Sequence, residues 1–260
     1  FLKIATSSGK TERKVYRETR TKRQSASAAL LRKEFSRFTA SPSYMLNCGL
    51  GTLMLPIAGV VLLVYQAKIR DLELLLGAEF ASLLFIAAVC LLASMNDMAA
   101  PSVSLEGKSL WLAQSLPVTP WQVLRAKLAV HLTLTGVPAA VCFVLLIVAH
   151  PFSAAELLLG AVLIAGYVLL MASFGLFVGL KMPNLHWTNE ITPIKQGGAV
   201  MLALFSGFAY AALIVVGYLL LGSKIGLTAY LAAFAALTLL LAALLLRWLH
   251  KTGCRIFASL

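Results

Sequence analysis

The residues able to do chemistry in this chain gather in two polar stretches set between long apolar runs. The first, residues 102–127, reads SVSLEGKSLWLAQSLPVTPWQVLRAK and contains Ser104, Glu106, Gly107, Lys108, Trp111 and Pro117. The second, 181–196, contains Trp187, Asn189, Glu190, Lys195 and Gln196. Neither spacing is that of a catalytic centre. There are no paired carboxylates inside an apolar run, no HExxH and no serine–histidine constellation, so no catalytic, cofactor-binding or metal-ligating residue is assigned. Ser7-Ser8-Gly9-Lys10-Thr11 imitates the end of a phosphate-binding loop, but Ile4 stands where that pattern needs glycine and no strand precedes it. Nucleotide binding is rejected on that ground. His131, one turn into an apolar run, reads as a packed or snorkelling histidine and not as a proton relay. Cys48, Cys90, Cys142 and Cys254 form no CxxC and read as packing residues, not disulfides or metal ligands.

What remains for the first stretch is mechanical work. Leu105, Leu112 and Leu116, with Trp111 beside them, give one apolar side, and Glu106, Lys108 and Gln114 are polar. Pro117 interrupts this helix because it lacks an amide hydrogen and clashes with the preceding turn. Thr119-Pro120-Trp121-Gln122 then starts another, with Thr119 as N-cap, Pro120 in the first turn and Gln122 closing a capping box. Two short amphipathic helices with a break between them suit a lever that another protein pushes. A helix resting in the headgroup region is the plainer alternative. The second stretch is rich in groups that fix a hydrogen-bonded turn, and a purely structural corner with an interfacial Trp is its alternative.

The elements that must position these loops follow from composition. With 260 residues, 60% hydrophobic, 12% charged and a mean hydropathy of +0.88, the chain carries more apolar surface than one soluble core can hide. Six runs are long enough to cross a hydrocarbon layer, at about 44–66, 77–99, 128–149, 154–180, 199–221 and 227–246. The fold class is an all-α polytopic membrane protein. Residues 1–26 form a basic linker attracted to anionic lipid. Residues 27–39 form an amphipathic elbow helix, with Leu31, Phe35 and Phe38 on one side and Arg32, Lys33, Ser36 and Arg37 opposite. Gly175 and Gly179 make a GxxxG that permits close helix contact. Nineteen of the 22 Lys and Arg lie on the side of the two patterned loops. The positive-inside rule therefore puts those loops and both termini in the cytoplasm, with the chain in the cell inner (plasma) membrane. The formal charge of +12 belongs to that asymmetry and does not imply nucleic acid.

Ser104-Leu-Glu106-Gly107-Lys108, Trp111, Ser115-Leu-Pro117-Val and Ala126-Lys127 together resemble a branch of bacterial ABC-2 type transporter permeases. Pro183-Asn184, Trp187-Thr-Asn189-Glu190 and Ile194-Lys195-Gln196 resemble that branch's second cytoplasmic loop, and Lys33-Glu34-Phe35 with Ser41-Pro42-Ser43-Tyr44 and Asn47 its entrance. The match runs over most of 32–196, and the last two spans match in hydropathy alone. The resemblance implies a six-helix unit with a coupling helix between spans two and three. Ser104, Glu106, Gly107, Lys108, Trp111 and Pro117 are its coupling residues. Two such units pair, as a homodimer or as the halves of one longer chain, which the linker-like start would suit. Each unit faces a separate ABC ATPase subunit that holds ATP and Mg. The chain departs from the family in lacking a distinct polar stretch between spans five and six.

The expectation is therefore an ABC exporter's membrane subunit that performs no covalent chemistry itself. An intramembrane enzyme acting on lipid would need convergent polar groups at one depth. A non-transporting anchor or sensor module that recruits a cytoplasmic partner is the third reading.

Overall fold

The computed structural model describes residues 25–260, apart from the side chain of Ser223. The basic segment 1–24, with the phosphate-loop imitation, lies outside the described residues. Among the described residues the secondary structure is helical, with a single bridge pairing Gly49 and Asn96.

The elbow forms α1, Ala26–Ala40, opened by Ser25, whose hydroxyl accepts from the Ala28 amide at 3.3 Å. Ser41 breaks it and caps α2, Pro42–Cys48, with Pro42 in the first turn, where a missing N–H costs nothing. The chain continues as α3, Leu50–Val64, and α4, Gln66–Leu76, which lie at 82° to each other across Tyr65. Gly77, with φ +86°, makes the turn into α5, Ala78–Ala93. Beyond a 3-10 segment at Ser104–Ser109 come α6, Leu110–Ser115, and α7, Pro120–Ala149. The Thr119/Gln122 capping box is present at the start of α7. A second capping box, Ser153 with Glu156, starts α8, Ala154–Lys181. Then follow α9, Ile191–Lys195; α10, Gly198–Gly217; α11, Leu227–Trp248; and α12, Cys254–Ser259.

Among the described residues, four stretches are long and apolar enough to cross a membrane: Pro120–Ala149, Ala154–Lys181, Ile191–Gly222 and Leu227–Ser259. The bent α3–α4 pair is a fifth if it counts as one. The expected spans at 44–66 and 77–99 are thus redrawn. The first is broken at Gly49 and turned at Tyr65. The second stops at Ala93 as a 16-residue helix. Hydropathy did not reveal the stop, because it depends on partners distant in sequence. Asn96 leaves the helix to accept from the Thr52 amide through its side-chain oxygen at 3.0 Å, and its amide group donates to Thr135 Oγ1 at 3.1 Å. The third span is longer than 128–149, since α7 begins at the capping box.

Lipid tails are as apolar as leucine, so such helices are held by close packing and hydrogen bonds. α3 runs along α7 and α11 along α8. Gly179 faces the Ala100 carbonyl so closely that a Cβ would stand 2.3 Å from that oxygen, and one at Gly175 would stand 3.3 Å from the Ala100 amide nitrogen. The GxxxG therefore receives the backbone that follows α5. Cys48, Cys90 and Cys142 are buried free thiols, and Cys254 is half-buried.

Candidate functional site

Both patterned stretches meet α1 at one end of the bundle, here termed the long-loop face. The centre of that meeting is Glu106, 2% exposed. A carboxylate taken out of water needs partners to offset its lost hydration, and the fold supplies three. Lys127, at the base of α7 and 2% exposed, donates to Glu106 Oε1 at 2.7 Å. Arg37 Nη2 donates to Oε2 at 2.7 Å, and Lys33 reaches both oxygens at 3.1 Å. Lys127 also donates to Glu34 Oε1 at 3.1 Å and to the Ser102 carbonyl at 3.0 Å. Burial alone would push the Glu106 carboxyl up. The Lys127 charge, then Arg37 through its hydrogen bond and charge, outweigh burial and hold it well below the usual carboxylate range. Burial would likewise lower the Arg37 guanidinium, but Glu106 and Glu34 outweigh it and raise it above its ordinary value.

Gly107 turns the chain at this point with φ +50° and ψ −135°, a conformation that only glycine adopts readily. Its backbone lies against the Trp187 ring, where a Cβ would stand 3.1 Å from ring carbons. Trp187 Nε1 donates to the Ser104 carbonyl at 2.6 Å, and the Asn184 amide to the Ser104 hydroxyl at 3.0 Å. The two loops are therefore one block, pinned to the elbow through Arg37 and Lys33.

Two expectations are corrected here. Glu106 does not share an open polar side with Lys108 and Gln114, because the Gly107 turn directs it inward while those two stay exposed. Nor do Leu105, Leu112 and Leu116 share one face. Leu105 is buried among Phe38, Tyr44 and Val200, whereas Trp111, Leu112 and Leu116 are 65%, 52% and 40% exposed. The 3-10 turn between them rotates the later residues outward. On the elbow, Leu30, Glu34 and Phe38 are buried and Lys33 and Arg37 lean toward Glu106, so part of its charged side faces protein, while Arg32 and Ser36 stay exposed. Pro117 is exposed at the end of α6, as are Asn189, Glu190, Lys195 and Gln196 in the second loop. Asn189 Oδ1 accepts from the Ile191 amide at 3.0 Å. An open cleft of about 560 Å³ lies between the loops, lined by Arg37, Glu106, Lys108, Trp187 and Glu190. The spacing rules passed over Lys33, Glu34, Arg37, Lys127 and Ser102. The one local signal was a lysine at the foot of an apolar run.

At the opposite, short-loop face the fold builds a constellation that the sequence hid. His150 Nδ1 pairs with Glu73, and its Nε2 lies 2.8 Å from Ser82 Oγ. The Ser82 hydroxyl donates to Glu156 Oε2 at 3.2 Å. The order acid–histidine–serine imitates an acyl-transfer triad. Ser82 is 1% exposed and its hydrogen is engaged by Glu156, so as arranged it serves α4, α5 and α8 as a tie and not as a nucleophile. In α7, His131 is 1% exposed and neither ring nitrogen has a partner among the described residues.

A bundle of this length and hydropathy, with buried polar ties at both ends, defines a polytopic helical membrane protein. Residues 1–248 match the family described as "Membrane protein of 12 TMs", and the chain belongs to it. No curated protein and no solved structure matches the chain.

Proposed function

We propose that this chain is the membrane-spanning subunit of an ATP-binding-cassette exporter of the ABC-2 type. Its long-loop face is cytoplasmic, and ATP and Mg are held by a separate ATPase subunit. In this scheme the chain itself binds no nucleotide and catalyses nothing. α5, extended by its folded continuation, counts with the bent α3 as a crossing, giving six. A second copy, or a fused half, makes the pair, and twelve spans is twice that six. The membrane is the cell inner membrane, with both termini cytoplasmic.

The observation that carries the proposal is the block at the long-loop face. The exposed Trp111, Leu112 and Leu116 stand on a short helix whose other side, Leu110 and Ala113, is buried, and whose Gln114 donates to the Phe257 carbonyl at 2.8 Å. Behind it Glu106 ties the same loop to α1 and α7. A push on Trp111 therefore reaches helices that cross the membrane without being absorbed in a slack loop. Such a two-state lever, driven by a partner's closure, is what alternating access requires.

The test is Trp111→Ala, alone and with Leu112→Ala, in membranes reconstituted with an ABC ATPase encoded beside this chain. Truncating an aromatic interface anchor costs about 2 kcal/mol or more, so co-purification should weaken roughly thirtyfold while folding is unchanged. Substrate-stimulated ATP turnover should fall with it. Wild-type recruitment and turnover in both variants would sink the lever. Recruitment without stimulated turnover in the unmodified protein would favour the anchor reading. Orientation has its own check: Lys224→Cys should react with an impermeant thiol reagent in intact cells and Ser109→Cys should not, and the reverse would invert the topology.

A further inference from the structure

α8, α10 and α11 enclose an apolar slot of about 420 Å³ that the function proposed above does not use. Leu170, Met171, Phe174 and Phe177 form one wall, Tyr210 another, and Trp248 closes the long-loop end. Leu170 to Phe177 spans roughly 10 Å along α8, most of the roughly 15 Å depth of one hydrocarbon leaflet. The slot is open at the side, with Leu244 54% exposed at its mouth. A groove at this depth faces lipid, and its volume lies in the range of about 300–1,000 Å³ usual for ligand sites.

The closed end gives the occupant its charge. Trp248 packs edge-on against Phe177 with ring centroids 4.7 Å apart, and Lys181 Nζ stands 5.4 Å from the Trp248 ring centroid. That separation is within reach of a cation–π contact. Lys181 is the last residue of α8, and Arg247 and Lys251, which flank Trp248 in sequence, are exposed. Cations at the headgroup level above an acyl-sized slot complement one class of molecule.

We propose that this slot is a binding site for an anionic phospholipid of the surrounding bilayer. One acyl chain lies along α8 between Phe174 and Leu244, and the headgroup phosphate rests on Lys181 and Arg247. The site involves neither Trp111 nor Glu106 and does not depend on the exporter reading. Lys181 is held in place over the indole, so the headgroup meets a positioned cation and not a free surface lysine.

The test uses the full chain in phosphatidylcholine vesicles containing a fixed fraction of phosphatidylglycerol, with one or the other lipid brominated on its acyl chains. The Trp248 contribution is the tryptophan emission of the unmodified protein minus that of Trp248→Phe. Brominated phosphatidylglycerol should quench that contribution well beyond its share of the bilayer. Juxtamembrane basic residues each supply attraction equivalent to roughly a fivefold gain in affinity, so Lys181→Gln should lower the phosphatidylglycerol preference by about that factor while Trp248 remains quenchable. Ser206→Phe, which fills the slot from α10, should reduce quenching by both lipids. Equal quenching by the two headgroups would reduce the site to ordinary annular lipid and overturn the proposal. Absence of quenching by either would mean that a second copy or another protein covers this face, which overturns it equally. An unchanged preference in Lys181→Gln would remove the headgroup assignment.

Discussion

The two ends of the bundle solve one problem, a buried polar tie, with different chemistry. At the long-loop face two carboxylates, Glu34 and Glu106, meet three cations, Lys33, Arg37 and Lys127. At the short-loop face Glu73 and Glu156 meet one imidazole and one hydroxyl. The first set is charge-rich, spans α1, the 3-10 turn and α7, and reaches no water through Lys127, whose side chain is 0% exposed. The second ties down α4, a helix whose Leu74 and Leu75 are 87% and 79% exposed while its Ile69 is buried in the core. The contrast is between an end tied by several buried charges and an end tied by one imidazole and one hydroxyl between two carboxylates.

If that comparison is right, the largest loss comes from the hub. Glu106→Gln leaves Lys127 buried with one anion, and breaking a buried pair on one side costs about 3–5 kcal/mol. Combining it with Lys127→Met, which removes the stranded charge, should return more than half of that loss in thermal unfolding of the detergent-solubilised protein. A double variant no better than the single would show that the charges are not coupled. Acid should leave this end alone over the ordinary range. The folded Glu106 carboxyl is depressed, so its contribution is complete above the unfolded value of about 4. It is lost only as pH falls through the lower folded value, and stability at this face should not change between pH 8 and 5.

The short-loop tie should be worth less and its loss should stay local. His150→Ala removes hydrogen bonds to a carboxylate and a hydroxyl, at about 1–3 kcal/mol. Hydrogen exchange should rise in 66–76 without rising in 102–127. Protection lost equally at both ends would abolish the distinction. The smallest effect is expected from Trp187→Phe, which keeps the ring against Gly107 and gives up the 2.6 Å donation to Ser104, for about 1 kcal/mol. Its signature is faster proteolysis within 181–196, and an unchanged cleavage rate would mean that the two loops are not joined through this bond.

These differences mark what the sequence could and could not say. The Thr119–Gln122 capping box was legible because both partners lie within one turn, and so was the amphipathic elbow as a helix. The elbow's orientation was not. Lys33 and Arg37 look solvent-facing until Glu106, some seventy positions later, is brought under them. Glu106 and Lys108 look alike in sequence, and the backbone at Gly107 separates them. The early end of α5 escaped notice because Ser94, Asn96 and Asp97 fall at the edge of the apolar run, where polar residues are ordinary in a span that continues. Asn96 reveals itself only once Thr52 and Thr135 stand beside it. The Glu73–His150–Ser82–Glu156 tie draws on three separate stretches, each unremarkable alone.

The position of Lys127 also bears on how such a chain is made. Glu34 and Glu106 leave the ribosome before their deepest counter-ion, and until α7 follows only Lys33 and Arg37 stand near them. The ionic block that joins elbow and loop is complete only when the chain has reached Lys127.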